Sequence, residues 1–285
     1  MSSPSSPVDR RLLREWGLPD PGESKKSRGR VMVVGGSRRS PGAVLLAGEA
    51  ALRVGAGRLG VVVPASIEAQ LGIVLREAAI FALPAAATDP LGTVVRQELE
   101  SADAVLVGPG FDDPDETHGT LLAVADARVS VMVLDAFAIG ILPDVDRALL
   151  PPKLVLNVNL EEAAILLDRE IDDDRVGDLL EIARRFDAVV HCYGVVVNPA
   201  GAAWQVSEGG PGLGTSGSGD VLAGAITGFA ARGVEPARAA VWGSWTHARA
   251  GDRLTDRIGL GFLAGDLAPE LTAALREVQS TDSGS

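Results

Sequence analysis

Short apolar runs recur along the chain, each closed by a glycine or proline turn and followed by a longer stretch with helical spacing. The runs are 31–34 (VMVV), 59–63 (LGVVV), 79–83 (AIFAL), 104–107 (AVLV), 131–134 (VMVL) and 154–156 (LVL). They are apolar at consecutive positions and do not alternate, which is the pattern of parallel strands covered on both faces. Helical stretches lie between them, at about 42–56, 66–76, 93–100, 116–126 and 159–168. Strand and helix in turn predict a doubly wound α/β fold. The last third departs from this. Runs at 188–191 (AVVH), 194–197 (GVVV) and 202–206 (AAWQV) are closely spaced and predict a meander at the sheet edge. A glycine-rich loop follows, then helices at about 219–232, 236–254 and 263–277.

The ends read differently. Residues 1–7 (MSSPSSP) and the stretch from Gln279 are poor in apolar residues and are expected to fray. A short helix between Asp9 and Trp16 and a linker (PDPGESKKSRGR) precede the first run. With no internal repeat and no convincing linker, the chain divides into an N-terminal segment 1–29, one domain 30–278 and a disordered tail 279–285.

Composition narrows the function classes. Of 285 residues, 46% are hydrophobic and 22% charged, as in a globular domain with a substantial core. Thirty-eight acids against 26 bases leave a net charge of -12, which repels a nucleic-acid backbone. Cys192 is the single cysteine, which excludes an internal disulfide or a cysteine-rich metal site. No apolar run of membrane-spanning length is present, and a cytoplasmic protein is expected.

The strongest chemical signal is the segment Gly212–Asp220 (GLGTSGSGD), which leads into VLAGAITGFAARG. Four glycines in nine residues let backbone N–H groups converge, and a helix starting there adds its positive end, making an anion site. A carboxylate at Asp220 is then placed to take a proton from a hydroxyl on whatever the anion is attached to. The plain alternative is that Asp220 caps the helix. The formal G-x-G-x-x-G within the segment does not read as a dinucleotide fingerprint, because no strand immediately precedes it and no acid ends a strand about 20 residues on. No Walker-type phosphate loop and no G-x-S-x-G elbow occur. Three further strand ends carry turn or acidic residues: Gly35-Gly36-Ser37 with Pro41-Gly42-Ala43, Gly108-Pro109-Gly110, and Asp135. Ligands of open α/β sheets bind at the carboxyl ends of strands, so these converge on one rim.

In this order and spacing the motifs resemble the ADP-dependent NAD(P)H-hydrate dehydratases, a carbohydrate-kinase-like family. The resemblance runs from about Arg30 to Leu275. It rests on Gly35–Ser37, Pro41–Ala43, Arg53-Val54-Gly55-Ala56-Gly57, Gly108–Gly110, Leu134–Ile139, Gly217–Gly224, and His247 with Ala250-Gly251-Asp252. It implies a ribokinase-like three-layer α/β/α fold with a mostly parallel central sheet. It also implies a lyase that uses ADP or ATP with Mg²⁺ to return NADHX or NADPHX to NAD(P)H. By that resemblance Asp220, Gly217 and Gly219 are catalytic, and Ala43, Gly110, Asn159 and Asp220 contact the hydrate. Cys192, Tyr193, Gly194, Val195, Val196, Ser218 and Gly219 contact the nucleotide, and Glu162 is a candidate to meet the metal through water. Self-association into a homo-oligomer is expected on the same ground.

Four positions depart from the family pattern. Asn159 stands where it has His, Cys192 stands where it has a phosphate-binding Lys, with Val196 for a nearby Thr, and Phe137 replaces a second Asp. Losing a lysine at a phosphate costs about 1.5–3 kcal/mol, roughly tenfold to a hundredfold in affinity, unless Lys26, Arg38 or Arg39 compensates. Two rivals therefore stand beside the dehydratase: a small-molecule kinase on the same fold, and a nucleotide-binding paralogue without turnover. His118 and His191 read as surface or edge residues, and His247 as packed and hydrogen-bonded. Glu161-Glu162, Asp172–Asp174 and Arg184-Arg185 read as solvated helix ends, loops or faces.

Overall fold

The computed structural model describes residues 5–279. Its ten strands are β1 (Ser6–Val8), β2 (Arg30–Val34), β3 (Arg58–Val63), β4 (Ala78–Ala82), β5 (Ala104–Val107), β6 (Val131–Asp135), β7 (Lys153–Asn157), β8 (Val189–Cys192), β9 (Val195–Val197) and β10 (Ala203–Val206). They form one sheet in the order β1-β10-β9-β8-β7-β6-β5-β2-β3-β4. The run from β4 through β8 is parallel throughout, and β9 alone is antiparallel to both its neighbours. The expected edge meander is present.

Eleven helices cover the sheet. They are α1 (Arg10–Trp16), α2 (Gly42–Arg53), α3 (Ala65–Val74), α4 (Thr93–Glu100), α5 (Pro114–Asp126), α6 (Phe137–Gly140), α7 (Leu160–Leu167), α8 (Arg175–Arg185), α9 (Ser218–Ala231), α10 (Pro236–Ile258) and α11 (Ala264–Gln279). Alternate residues of each central strand enter opposite cores. Val31, Val33, Val61, Val133 and Val155 pack with α2, α3, α9, α10 and α11. Met32, Val34, Val62, Met132 and Leu156 pack with α4, α5, α7 and α8. Both faces being apolar, the strands read as unbroken hydrophobic runs. The result is the three-layer α/β/α fold expected.

Two stretches differ from the sequence expectation. Ser6 and Pro7, from the segment expected to fray, join Val8 in β1, which pairs in parallel with β10. The segment Ser-Pro-Val is too short to show alternation, and its proline suits only an edge strand. Trp16 at the end of α1 then packs edge-on against Trp204 of β10, with ring centres 6.1 Å apart, under the Arg238 guanidinium. Residues 175–185, read only as carrying a solvated Arg184-Arg185 face, form the whole of α8, with Asp174 accepting a hydrogen bond from Gly177 N–H. Arg185 does reach out of that face, donating to the Leu166 carbonyl at 2.8 Å and so tying α8 to α7. Gln279, the start of the expected tail, ends α11; residues 280–285 lie outside the described residues.

The position of α9 matters most for the site. Twelve of its 14 residues are buried. It crosses α2 so closely that a Cβ on Gly224 would overlap the Ala47 carbonyl, and one on Gly228 would crowd Ala51 and Val54. Small residues let two backbones approach where any larger side chain forces them apart. Gly224→Ala is therefore expected to destabilise the protein by about 1–3 kcal/mol, read as a fall of several degrees in Tm. Gly265→Ala, which meets nothing within 4 Å, leaves Tm unchanged or slightly higher.

Candidate active site

The glycine-rich loop ends at Gly217, the N-cap of α9, in a left-handed conformation (φ 89°). A Cβ there would also strike Leu46 and press on Ala264, so glycine is required on both counts. Both ends of the loop are fastened to α10. Ser218 Oγ lies 3.0 Å from His247 Nε2, and Gly209 N–H donates to both carboxylate oxygens of Asp252 at 3.1 Å. Between these two anchors, Gly251 lets Leu213 pack directly onto the helix backbone. The His247-to-Asp252 motif is thus a clamp on the loop, and His247 is packed and hydrogen-bonded as expected. Burial lowers its pKa to about 4, keeping it neutral.

Asp220 is the third residue of α9, not its cap. Its carboxylate has no hydrogen-bond partner among the described residues, and burial raises its pKa to about 6. Ser218 N–H donates to the Thr215 carbonyl at 3.2 Å, whereas Gly219 and Asp220 N–H lie in the first turn, where the helix itself supplies no acceptor and its dipole adds positive potential. A carboxylate without a hydrogen-bond partner beside the N-terminal turn of a helix is the central feature of the site.

Around them opens a cavity of about 700 Å³. The carboxyl ends of β6, β7 and β8 bring Asp135, Asn157 and His191 into its wall; Tyr193 and Gly194 come from the β8–β9 turn, and Ser244 and His247 from α10. Glu208 lines it too, with Oε1 accepting from Trp245 Nε1 at 2.8 Å and Oε2 buried with no partner among the described residues.

The residues expected to bind nucleotide divide into two groups. Tyr193, Gly194, Ser218 and Gly219 line the cavity. Cys192, Val195 and Val196 do not; their side chains are buried in the two cores. Burial pushes the Cys192 thiol up to about 12, so it packs as a neutral group where the resemblance placed a cation. Of the expected substrate residues, Asp220 and Asn159 line the cavity, while Ala43 and Gly110 meet each other at the carboxyl ends of β2 and β5. Beside them a second cavity of about 660 Å³ is lined by Gly36, Ser37, Arg38, Arg39 and Phe111, among others. Arg38 and Arg39 therefore stand at the rim. Lys26 does not: its carbonyl accepts from Gly29, just before β2 begins, at the opposite end of the sheet.

Other side chains depart from their sequence reading. Asn159 caps α7: its Oδ1 accepts from Glu162 N–H at 2.8 Å, and Glu162 Oε2 accepts from Asn159 N–H at 2.9 Å. Glu162 is consequently no solvated acid, and burial raises its pKa to about 7. His191, expected at a surface or edge, is 3% exposed and hydrogen-bonded on both ring nitrogens. Its position, and those of Asn157, Ser244 and Glu208, were missed. Asn157 had a usable signal, since it ends an apolar run as Asp135 does; Ser244 and Glu208 had none.

A mostly parallel sheet between two helical layers, with a glycine-rich loop leading into a buried helix at its carboxyl rim, is the architecture of a ribokinase-like α/β protein. The chain has this fold in common with a ribokinase-like superfamily protein of Enterococcus faecalis V583, at TM-score 0.84 and 23% identity over 96% of both chains. It shares it equally with an ADP/ATP-dependent NAD(P)H-hydrate dehydratase of Bacillus subtilis co-crystallised with ATP and Mg²⁺, at TM-score 0.84 and 24% identity over 96% and 99% of the two chains. Sequence carries the assignment further: residues 31–273 match the carbohydrate-kinase family model for NAD(P)H-hydrate dehydratase, and the chain belongs to that family. It is 41% identical to the ADP-dependent (S)-NAD(P)H-hydrate dehydratase of Xanthomonas campestris over 276 residues, 92% of this chain and 93% of the relative. It spans about half the length of bifunctional NAD(P)H-hydrate repair enzymes such as that of Moorella thermoacetica (35% identity). No helix among the described residues is long and apolar enough to cross a membrane.

The raised pKa of Asp220 has a consequence for stability. The native state holds the protonated acid more tightly than the unfolded chain does, so its contribution is fully present below the ordinary carboxylate range. It is lost as pH rises through about 6. Asp220→Asn is expected to raise Tm at mildly alkaline pH, and the gain should vanish in acid; thermal melts across pH test this.

Proposed function

We propose that this chain is an ADP- or ATP-dependent (S)-NAD(P)H-hydrate dehydratase, a lyase that restores NAD(P)H from its hydrate. The observation that carries the reading is the unpartnered Asp220 carboxylate at the N-terminal turn of α9, inside the cavity. In this reading the Gly219 N–H and the positive end of α9 hold the transferring phosphoryl oxygens, and Gly217 keeps the loop clear of them. Asp220 takes the proton of the C6 hydroxyl as that oxygen attacks phosphorus. Elimination of the phosphorylated oxygen then gives the dihydronicotinamide.

The remaining roles follow from placement. Tyr193 is 62% exposed at the cavity edge and offers a face to the nucleotide base. The free oxygen of Glu208 suits a base amine or ribose hydroxyl, at the nucleoside end where no phosphate needs to come. Asn159 and the Ala43–Gly110 contact border the hydrate, whose remaining nucleotide extends toward Arg38 and Arg39. These two arginines line the second cavity, and among the described residues no Lys or Arg lines the main one. Mg²⁺, when bound to the nucleotide, neutralises phosphate charge. Among the described residues no cluster of three or more metal-ligating side chains exists, which fits an ion held chiefly by phosphates, with Glu162 reached through water.

Residues 30–278 are read as one catalytic domain, with β1 and α1 packed onto its edge. Self-association is part of the same proposal and is supported by exposed Ile258, Leu260 and Leu263 around the α10–α11 turn. So is the cytoplasmic location expected from the sequence.

The test is recovery of NADH absorbance from chemically prepared hydrate with ADP or ATP and Mg²⁺. Recovery should require nucleotide, rise with pH through about 6, and fall by on the order of 10²–10⁴-fold in Asp220→Asn. A stable phosphorylated product without NADH would make the chain a kinase. A nucleotide-dependent rise in Tm with no turnover would make it a binder.

A further inference from the structure

Neighbouring parallel strands end in polar residues that stand side by side. Strand register pairs Asp135 of β6 with Asn157 of β7, and Asn157 with His191 of β8. Residues in register on a pleated sheet direct their side chains to the same face. Here they form a continuous row: Asn157 Nδ2 donates to Asp135 Oδ1 at 2.7 Å, and His191 Nδ1 lies 2.8 Å from Asn157 Oδ1. Ser244 of α10 closes the row, with Oγ 3.0 Å from His191 Nε2. All four residues are buried, and all line the cavity that holds Asp220.

The donation from Asn157 to Asp135 sets the direction of the row. An amide whose nitrogen donates to a carboxylate offers its oxygen only as an acceptor. His191 therefore carries its proton on Nδ1 and donates to Asn157. Its Nε2 is left as an acceptor, and it takes both the Ser244 hydroxyl and the Gly194 N–H, the latter at 3.3 Å. Burial lowers the His191 pKa to about 3, so it stays neutral and keeps this tautomer. Every donor points toward Asp135. Burying four polar groups is costly unless each is satisfied; what the row yields is one oriented carboxylate facing the cavity.

Dehydration needs two proton removals, and only one has a residue. Asp220 takes the hydroxyl proton as the C6 oxygen bonds to phosphorus and the phosphorus–nucleotide bond breaks. When the C6–O bond later breaks, its electron pair leaves with phosphate. The C5–H pair becomes the C5=C6 double bond, and the C5 proton must go to a base. Besides Asp220, the carboxylates lining the cavity are Asp135, Glu162 and Glu208. Glu162 is engaged in the α7 capping box, and Glu208, whose second oxygen is free, sits in the proposed function at the nucleoside end of the cavity. We propose, resting on the dehydratase reading, that Asp135 is the second catalytic base and accepts the C5 proton, with Asn157 and His191 as its positioning residues.

The two carboxylates are coupled in a way that orders the steps. Burial first, then the facing charges of Asp220 and Glu162, hold Asp135 well above the usual carboxylate range. Asn157 and the Ala136 backbone oppose this. Once Asp220 has taken the hydroxyl proton it is neutral, and one of the charges opposing ionisation of Asp135 is gone. Asp135 is thus most available as a base when the second proton must leave.

The experiment follows nucleotide consumption and NADH formation separately, using hydrate deuterated at C5 by acid hydration of NADH in D₂O. In Asp135→Asn, nucleotide should still be turned over once per site. NADH formation should fall on the order of 10²–10⁴-fold, with a deuterium isotope effect. In Asp135→Ala, added formate should restore part of the NADH rate. NADH formation at the wild-type rate in Asp135→Asn would overturn the proposal. So would an equal loss of both readouts without formate rescue, which is the outcome of a structural role. Wild type that makes no NADH from hydrate would instead overturn the dehydratase reading, and this inference with it.

Discussion

The close crossing of α2 and α9 is the constraint on which the site depends. Gly224 and Gly228 bring the α9 backbone against Ala47 and Ala51, with no side chain between. That contact sets how far the first turn of α9 projects toward the carboxyl rim, and it leaves no freedom to slide. Leu46, the residue before Ala47 on α2, meets Gly217 and so fixes the turn that precedes the helix. The clamp from α10 completes the arrangement, with His247 and Asp252 gripping the two ends of the loop. An anion site made of backbone N–H groups has no adaptable side chains, so its accuracy must come from packing behind it.

The same burial that positions the groups also tunes them. Asp220, Glu162 and Asp135 all have pKa values raised chiefly by desolvation. Carboxylates kept out of water are stronger bases, but each costs native stability when ionised. This is the usual opposition between stability and activity. Neutral His191 and His247 add hydrogen bonds to the site without adding charge. The cavity is accordingly rich in acceptors, and no Lys or Arg lines it among the described residues; in the proposed function phosphate charge falls to the helix backbone and to the metal carried with the nucleotide.

The departures from the family pattern become interpretable in three dimensions. Where a lysine was expected the chain has Cys192, directed into the core, while the neighbouring His191 enters the polar row. Asn159 replaces a histidine and secures the end of α7. Of the departures, Asn159 lines the cavity while Cys192 and Val196 are packed in the cores, and the polar row from Asp135 to Ser244 runs beside them.

Much of the architecture was legible in the sequence. Consecutive apolar positions reveal strands buried on both faces, and glycines at strand ends reveal a ligand-binding rim, because both are local consequences of burial and backbone sterics. The loop Gly212–Asp220 was recognisable for the same reason. Which residues share a cavity was not. Asn157 and His191 are 34 positions apart and meet only because β7 and β8 pair in register. Ser244 reaches them from a helix that reads as a packed, apolar element, and Cys192 and Val196 turn inward because the β8–β9 pairing sets which face each residue takes. β1 is invisible as a strand until β10 offers it an edge. Local sequence determines what each segment can be; strand register and helix packing, which are cooperative and long-range, decide which side chains confront one another.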